Sequence, residues 1–268
     1  MYSFLLRPKW VLFHVAVLAT IVGMLAASDW QWDKYNARDE FVTTVATRQN
    51  REETPPVPLI TLLSGEPILE LSEIEYRIAT ATGSYLPTGQ LLQINRTQDG
   101  VNGVNLLTPF QIHGGPIVIV NRGFLPDRLQ PPAPPAGTVV IGGTVRLSQL
   151  RRTGELTDNA AGATSEVRRV DLPLIADRLG IQLAPVYLQF IASDPAAERP
   201  PVPVPAPDLT GGPPHLSYTV QWLVFSACVA AGWVFAVRRS ARTQRPVQGV
   251  VRGDPISAGA EPPVRPSV

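Results

Sequence analysis

Two long uncharged stretches constrain this chain more than anything else in it. Trp10–Ala27 reads WVLFHVAVLATIVGMLAA and Tyr218–Val237 reads YTVQWLVFSACVAAGWVFAV, with no formal charge in either. As helices, at about 1.5 Å per residue, they cover roughly 27–30 Å, the hydrocarbon thickness of a bilayer. A buried core helix is the alternative for such runs, and the basic residues that bracket them argue against it. Arg7 and Lys9 precede the first; Arg238, Arg239, Arg242 and Arg245 follow the second. The first run also has a signal-peptide look, with Ala26 and Ser28 ahead of Asp29, but its apolar stretch exceeds the roughly 7–15 residues of an h-region. It reads as an uncleaved anchor. The basic flanks place both termini in the cytoplasm and the intervening residues outside, in a multi-pass cell-membrane protein. Trp10, Trp30, Trp32, Tyr218 and Trp233 fall near the ends of the runs, where amphipathic rings favour the lipid interface.

The spans account for a charge content of 17%, low beside the roughly 25% of an average globular domain. Basic and acidic residues nearly balance, 23 against 22, so no nucleic-acid footprint is expected. A single cysteine excludes a disulfide framework and a cysteine-based metal centre. Three scattered histidines make a histidine-rich metal site an equally poor fit.

The fold class expected is integral membrane α+β: two transmembrane helices flanking a mostly antiparallel β extracytoplasmic domain, either an open sheet or a partly closed barrel. Residues 1–9 read as a cytoplasmic N-terminus, 10–27 as the first transmembrane helix and 28–194 as the β domain with a juxtamembrane helix. Residues 195–217 read as a proline-rich tether, 218–237 as the second transmembrane helix and 238–268 as a disordered cytoplasmic tail. Helical character persists from residue 29 to 50, and Thr54-Pro55-Pro56-Val57-Pro58 breaks it. Strands are expected at 75–82, 90–96, 104–112, 116–122, 138–147 and 186–192. Asp99-Gly100 and Asn102-Gly103 are turn formers between the second and third. Ile117-Val118-Ile119-Val120 suits a strand buried on both faces. Asp171 as N-cap, Pro173 in the first turn and Gly180 at the close predict one short helix. The glycine pairs at 114–115 and 142–143 are turn or bulge signals.

No nucleophile–base–acid set, G-x-S-x-G, H-E-x-x-H or Walker motif occurs, so an enzyme is not expected. His215 stands three residues before the second span, with Trp222 and Phe225 deeper on roughly the same helical face. A neutral imidazole there, covered by aromatic rings, suits haem iron as an axial ligand; an interfacial histidine capping the helix is the plainer alternative. His14 lies inside the first span, near its cytoplasmic end and roughly 20–25 Å from the depth of His215. The two therefore cannot share one iron within a chain, and His14 is expected to hydrogen-bond between helices. Cys228, mid-span, reads as a packing residue.

Several short motifs recur in order between the two spans: Trp30-Gln31; Gly83-Ser84-Tyr85; Thr108-Pro109-Phe110; Val120-Asn121-Arg122-Gly123-Phe124-Leu125-Pro126; and His215-Leu216-Ser217-Tyr218 with Gln221-Trp222. In these the chain resembles the Surfeit locus protein 1 family, membrane assembly factors for haem-copper cytochrome c oxidase. The resemblance implies a chaperone-like role in respiratory chain biogenesis, with haem a, oxidase subunit I and the haem a biosynthesis machinery as partners. It implies haem a binding with His215 as the iron ligand and Trp222 beside it. Arg122 suits a propionate through bidentate charge-assisted bonds, or else a structural pairing at a turn of Asn121-Arg122-Gly123 that ends the strand. Trp30, Gln31 and Tyr218 are the further motif residues for partner contact; the plainer reading makes Trp30 an interfacial anchor and Gln31 a helix-end hydrogen bond. Two alternatives remain: a scaffold for oxidase assembly that binds no haem, and a membrane-tethered envelope enzyme.

Overall fold

The computed structural model describes residues 3–64, 69–127, 129–156, 158, 165–197 and 201–243. Of the tail expected to be disordered from residue 238, residues 238–243 instead continue a helix, and 244–268 lie outside the described residues. Two compact units form, Met1–Tyr35 with Pro214–Val268, and Asn36–Pro213.

In the helical unit, α1 (Pro8–Gln49, of which the part to Tyr35 belongs here) pairs with α5 (His215–Thr243). Both are long and apolar enough to cross a membrane. On α1 the buried and half-buried positions include His14, Val17, Ile21, Met24, Ser28 and Gln31; on α5 they include His215, Thr219, Trp222 and Ser226. These steps alternate between three and four residues, the spacing that keeps one stripe of each helix facing its neighbour. The other faces are exposed and apolar, with Leu12, Val15, Leu18, Val22, Val220, Leu223 and Val224 among them. Small hydroxyl residues let the backbones approach and satisfy their own donors: Ser28 Oγ donates to the Thr219 carbonyl at 3.1 Å, and Thr219 Oγ1 to the His215 carbonyl at 3.0 Å.

The last part of α1 belongs to the β unit, so the helix does continue beyond the first apolar run. There Val45 is fully buried, Phe41 meets Tyr76 edge-on at 5.6 Å, and Arg48 donates to the Ser72 and Glu75 carbonyls. The chain then forms β1 (Val57–Pro58), α2 (Leu59–Ser64), α3 (Leu71–Ile74), β2 (Ile78–Tyr85), β3 (Leu91–Gln98), β4 (Val101–Ile112), β5 (Ile117–Pro126), β6 (Val139–Leu147), β7 (Glu166–Val167), α4 (Leu172–Leu179) and β8 (Leu183–Asp194).

The sheet runs β1-β2-β6-β8-β5-β4-β3-β7, and β2 also pairs with β4. That extra pairing closes β2, β6, β8, β5 and β4 into a ring, with only β5–β8 parallel among its five pairings. Of the two forms open from sequence, the barrel is the one built. Its interior holds Ala79, Ala81, Tyr85, Phe110, Val118, Val120, Val139, Ile141, Val145, Val186 and Leu188.

Ile119 turns the other way, into a second cluster with Leu107, Tyr187, Leu172 and Ile175, so β5 is indeed buried on both faces. α4 covers that outer face as its end signals predict: Asp171 accepts from the Leu174 amide at 3.3 Å, and Gly180 closes the helix at φ +64°. Burying Leu172 and Ile175 contributes about 1.5–3 kcal/mol each.

Two expectations about turns are corrected. The β3–β4 turn is Asp99-Gly100 alone, at φ +52° and +77°, the two-residue geometry that matches strand twist. Asn102-Gly103 lies inside β4, where Gly103 faces the Phe124 ring and the Leu125 carbonyl of β5. Nor does Asn121-Arg122-Gly123 end its strand, since β5 continues to Pro126. The residues opposite it show why: Leu107 pairs with Asn121 and Asn105 with Phe124, so an extra residue of β5 is accommodated as a bulge. The two-residue strands β1 and β7 were not foreseen; they are too short to show alternation.

Beyond β8, residues 201–205 of the proline-rich segment lie along the sheet. Val202 and Phe124 exchange both backbone hydrogen bonds, and Gln98 and Gln189 donate to carbonyls of Pro203, Val204 and Pro205.

Candidate functional site

The quoted motifs gather in two places, one in each unit. In the β unit, the bulge aims the Arg122 side chain toward the Tyr85 ring, 5.6 Å from guanidinium carbon to ring centroid. Tyr85 in turn meets Phe110 edge-on at 5.0 Å. Three of the motifs thus supply one cluster, to which Thr108 adds a hydrogen bond to Gln90. Arg122 is only 3% exposed. It donates to Gln90 Oε1 at 3.2 Å, to the Pro132 carbonyl at 2.9 Å and to the Ala133 carbonyl at 3.1 Å. Its guanidinium therefore fastens the stiff Pro131–Pro135 loop to the barrel. Burial lowers the Arg122 pKa, opposed by the Tyr85 phenol, and pushes Tyr85 up to about 12.

The second gathering lies in the helical unit. His215 is the first residue of α5, half-buried, and the Pro214 carbonyl accepts from the Tyr218 amide to begin the helix. The two prolines before the histidine therefore do not disturb it: proline is compatible with a helix start, where no amide donor is needed. The His215 ring reaches across to α1, where its Nδ1 lies 2.8 Å from Gln31 Oε1. An amide oxygen only accepts, so in the neutral ring Nδ1 carries the proton and donates, and Nε2 keeps its lone pair. Among the described residues, no hydrogen bond to Nε2 is found. One ring nitrogen is thus fixed by an outer partner and the other is left available.

Trp222, two turns deeper on the same stripe, is half-buried and meets Phe225 edge-on at 6.1 Å. Trp30 and Tyr218 face outward, 56% and 44% exposed, with Lys34 5.8 Å from the Trp30 ring. The structure thus joins Gln31 to His215 and leaves Trp30 and Tyr218 outside that contact. Arg122 belongs to the other unit.

His14 has the opposite chemistry. Trp233 Nε1 donates to His14 Nδ1 at 2.9 Å, so the neutral ring keeps its proton on Nε2. The expected bond between helices is present, and it occupies the one lone pair that a metal would need.

Pairing of Gln31 with His215 was missed from the sequence, although both were singled out. The signal lay in the three-and-four spacing, which sets Gln31 in register with His14 and His215 in register with Trp222.

Comparison with known proteins agrees with the motif order. The SURF1 family model matches residues 18–227. Uncharacterized SURF1-like proteins of Mycobacterium bovis and Mycobacterium tuberculosis (strain H37Rv) are each 31% identical to this chain, over 98% of it and 93% of their own length. A SURF1-like protein of Monosiga brevicollis is 29% identical over 86% of this chain and 87% of its own. With a family match across most of its length and relatives aligned nearly end to end, the chain belongs to the SURF1 family.

Proposed function

We propose that this protein is a membrane-anchored assembly factor for haem-copper cytochrome c oxidase that receives haem a at His215, at the outer membrane face, for delivery to nascent subunit I. Membership of the SURF1 family implies a non-catalytic role in oxidase assembly at a membrane. The haem-handling reading goes further and rests on one observation, the His215 ring held through Nδ1 by Gln31 with Nε2 left as a lone-pair donor. Haem iron takes a neutral imidazole in an axial position, and His215 fits that requirement where His14 does not. Trp222 lies deeper on the same helix, where it adds apolar cover.

The orientation follows from the basic flanks. Arg7 and Lys9 at one end, and Arg238, Arg239, Arg242 and Arg245 at the other, hold both termini in the cytoplasm and the β unit outside. A fluorescent protein fused to the C-terminus is expected to glow, and a periplasm-dependent phosphatase fused there to stay inactive.

Absorption spectra of detergent-purified wild type and His215→Ala, from cells that make haem a, test the haem step. A Soret band in the first that is lost in the second supports it. Equal bands in both would move the ligand elsewhere. A second reading, a scaffold that binds oxidase subunits without haem, is supported by the engagement of Arg122 with carbonyls of its own loop. Co-purification of oxidase subunits with no Soret band in either sample would establish that reading instead.

A further inference from the structure

We infer that Gln31 is the positioning residue of His215, fixing both the ring's orientation across the helix pair and the nitrogen that keeps its lone pair; the role in ligation rests on the haem-binding reading above.

Free histidine in water mostly carries its neutral proton on Nε2. A ligand that must present Nε2 therefore needs a proton acceptor at Nδ1, or it spends most of its time in the wrong tautomer. Gln31 Oε1, 2.8 Å away, is that acceptor. It stands on the opposite helix, so the bond also prevents rotation of the ring about its own side chain.

The position of Gln31 is itself secured. It follows Ser28 by three residues on the same stripe, and Ser28 ties α1 to α5 through the Thr219 carbonyl at 3.1 Å. Thr219 in turn bonds the His215 carbonyl at 3.0 Å. Glutamine and histidine thus hang from one local cross-link. The other end of the pair provides a built-in contrast, since the Trp233 indole donates to Nδ1 of His14 and holds the reverse tautomer. A merely structural glutamine has no need to choose a tautomer, and that choice can be observed without any haem.

The test uses the full-length protein in lipid nanodiscs with ¹⁵N-labelled histidine, recording the ring nitrogens of His14, His113 and His215 in the neutral imidazole form, with His215→Ala for assignment. Wild type is expected to show His215 protonated on Nδ1 and His14 protonated on Nε2. In Gln31→Leu the His215 proton moves predominantly to Nε2 while His14 is unchanged, which also shows that the helices remain paired. Gln31→Glu retains an acceptor and keeps the wild-type pattern.

Haemin titration of the same samples is the second arm. Gln31→Leu is expected to bind about 10–100-fold more weakly, the usual effect of removing an outer partner of a metal ligand, with Gln31→Glu close to wild type. His215 protonated on Nε2 in wild type, or the same tautomer in wild type and Gln31→Leu, overturns the inference. So does a tautomer change that leaves haemin affinity unaltered while His215→Ala abolishes it. Should His215→Ala bind haemin as wild type does, the haem-binding reading fails, and the tautomer spectra alone decide whether Gln31 sets the ring.

Discussion

Trp233 Nε1 donates a 2.9 Å hydrogen bond to Nδ1 of His14, joining residues 219 positions apart in the chain. Their rings meet edge-on at 5.8 Å, and the Trp10 ring lies 5.7 Å from the imidazole. With the Gln31–His215 bond at the opposite end, an apolar seam is fastened by a polar pair at each extremity. A helix slipped by one turn would break both, so the pairs specify register.

Replacing Trp233 with Phe keeps the aromatic packing and removes only the donor. The expected loss is about 0.6–2 kcal/mol, the range for hydrogen bonds between membrane helices. Denaturation of the reconstituted protein by a graded detergent mixture, with His14→Leu in a double-mutant cycle, measures it. Additive losses would show that the two side chains do not act as a pair.

Arg122→Met leaves the Pro132 and Ala133 carbonyls without this donor and Gln90 Oε1 with Thr108 alone. Each lost bond involves a charged group, so a destabilisation of about 3 kcal/mol is expected for the β unit. Arg122→Lys is expected to restore little of it, because a point charge cannot span two carbonyls and a glutamine. Thermal unfolding reads the effect. A propionate-binding arginine would behave otherwise, with weaker haemin binding at unchanged melting temperature.

Tyr85 gives the β unit an alkaline limit. Its folded pKa is raised to about 12 by burial, against roughly 10 in an unfolded chain. Above pH 10 the unfolded state loses its proton first, so stability falls as pH rises. The loss runs between about pH 10 and 12 and amounts to about 2–3 kcal/mol. Tyr187 is shifted the same way, also by burial. Urea midpoints measured across this window should fall steeply in wild type and less steeply in Tyr85→Phe; parallel curves would assign the alkaline loss to other groups.

Gly123 is a position where both backbone conformation and space oppose a side chain. Its φ is +131°, and a Cβ there would lie 2.5 Å from the Val202 carbonyl oxygen. Gly123→Ala is expected to cost about 2–3 kcal/mol of backbone strain and to peel the 201–205 segment from β5. Limited proteolysis should then cut within that segment at protease concentrations that spare wild type.

Much of this architecture could be read from local signals. The ends of α4 were legible because Asp171 and Gly180 act through their own backbone neighbourhood. The two-faced burial of β5 was legible because an uninterrupted Ile-Val-Ile-Val run has few other uses. What escaped depends on partners distant in sequence. Asn121-Arg122-Gly123 has the composition of a turn, and only the residue pairing opposite it, on β4, makes it a bulge. Asn102-Gly103 is as good a local turn signal as Asp99-Gly100; the close approach of β5 decides between them. At the helix pair, His215 was identified from its place before the span and from the motif, yet its acceptor stands 184 positions earlier. Arg122 shows the converse, since its chemistry suited an anion and its actual partners are carbonyls of a neighbouring loop.

The order of strands in the barrel carries a consequence for biogenesis. β8, the last strand among the described residues, is the one that lies between β5 and β6. On a nascent chain the β5 and β6 edges, complete at Pro126 and Leu147, therefore stay unpaired until β8 arrives, and both close at once when residues 183–194 are made. Exposed edges of this kind recruit other chains. Products that terminate before Asp194 are thus expected to enter quality control as aggregation-prone open sheets, with no partially working form between the complete protein and none.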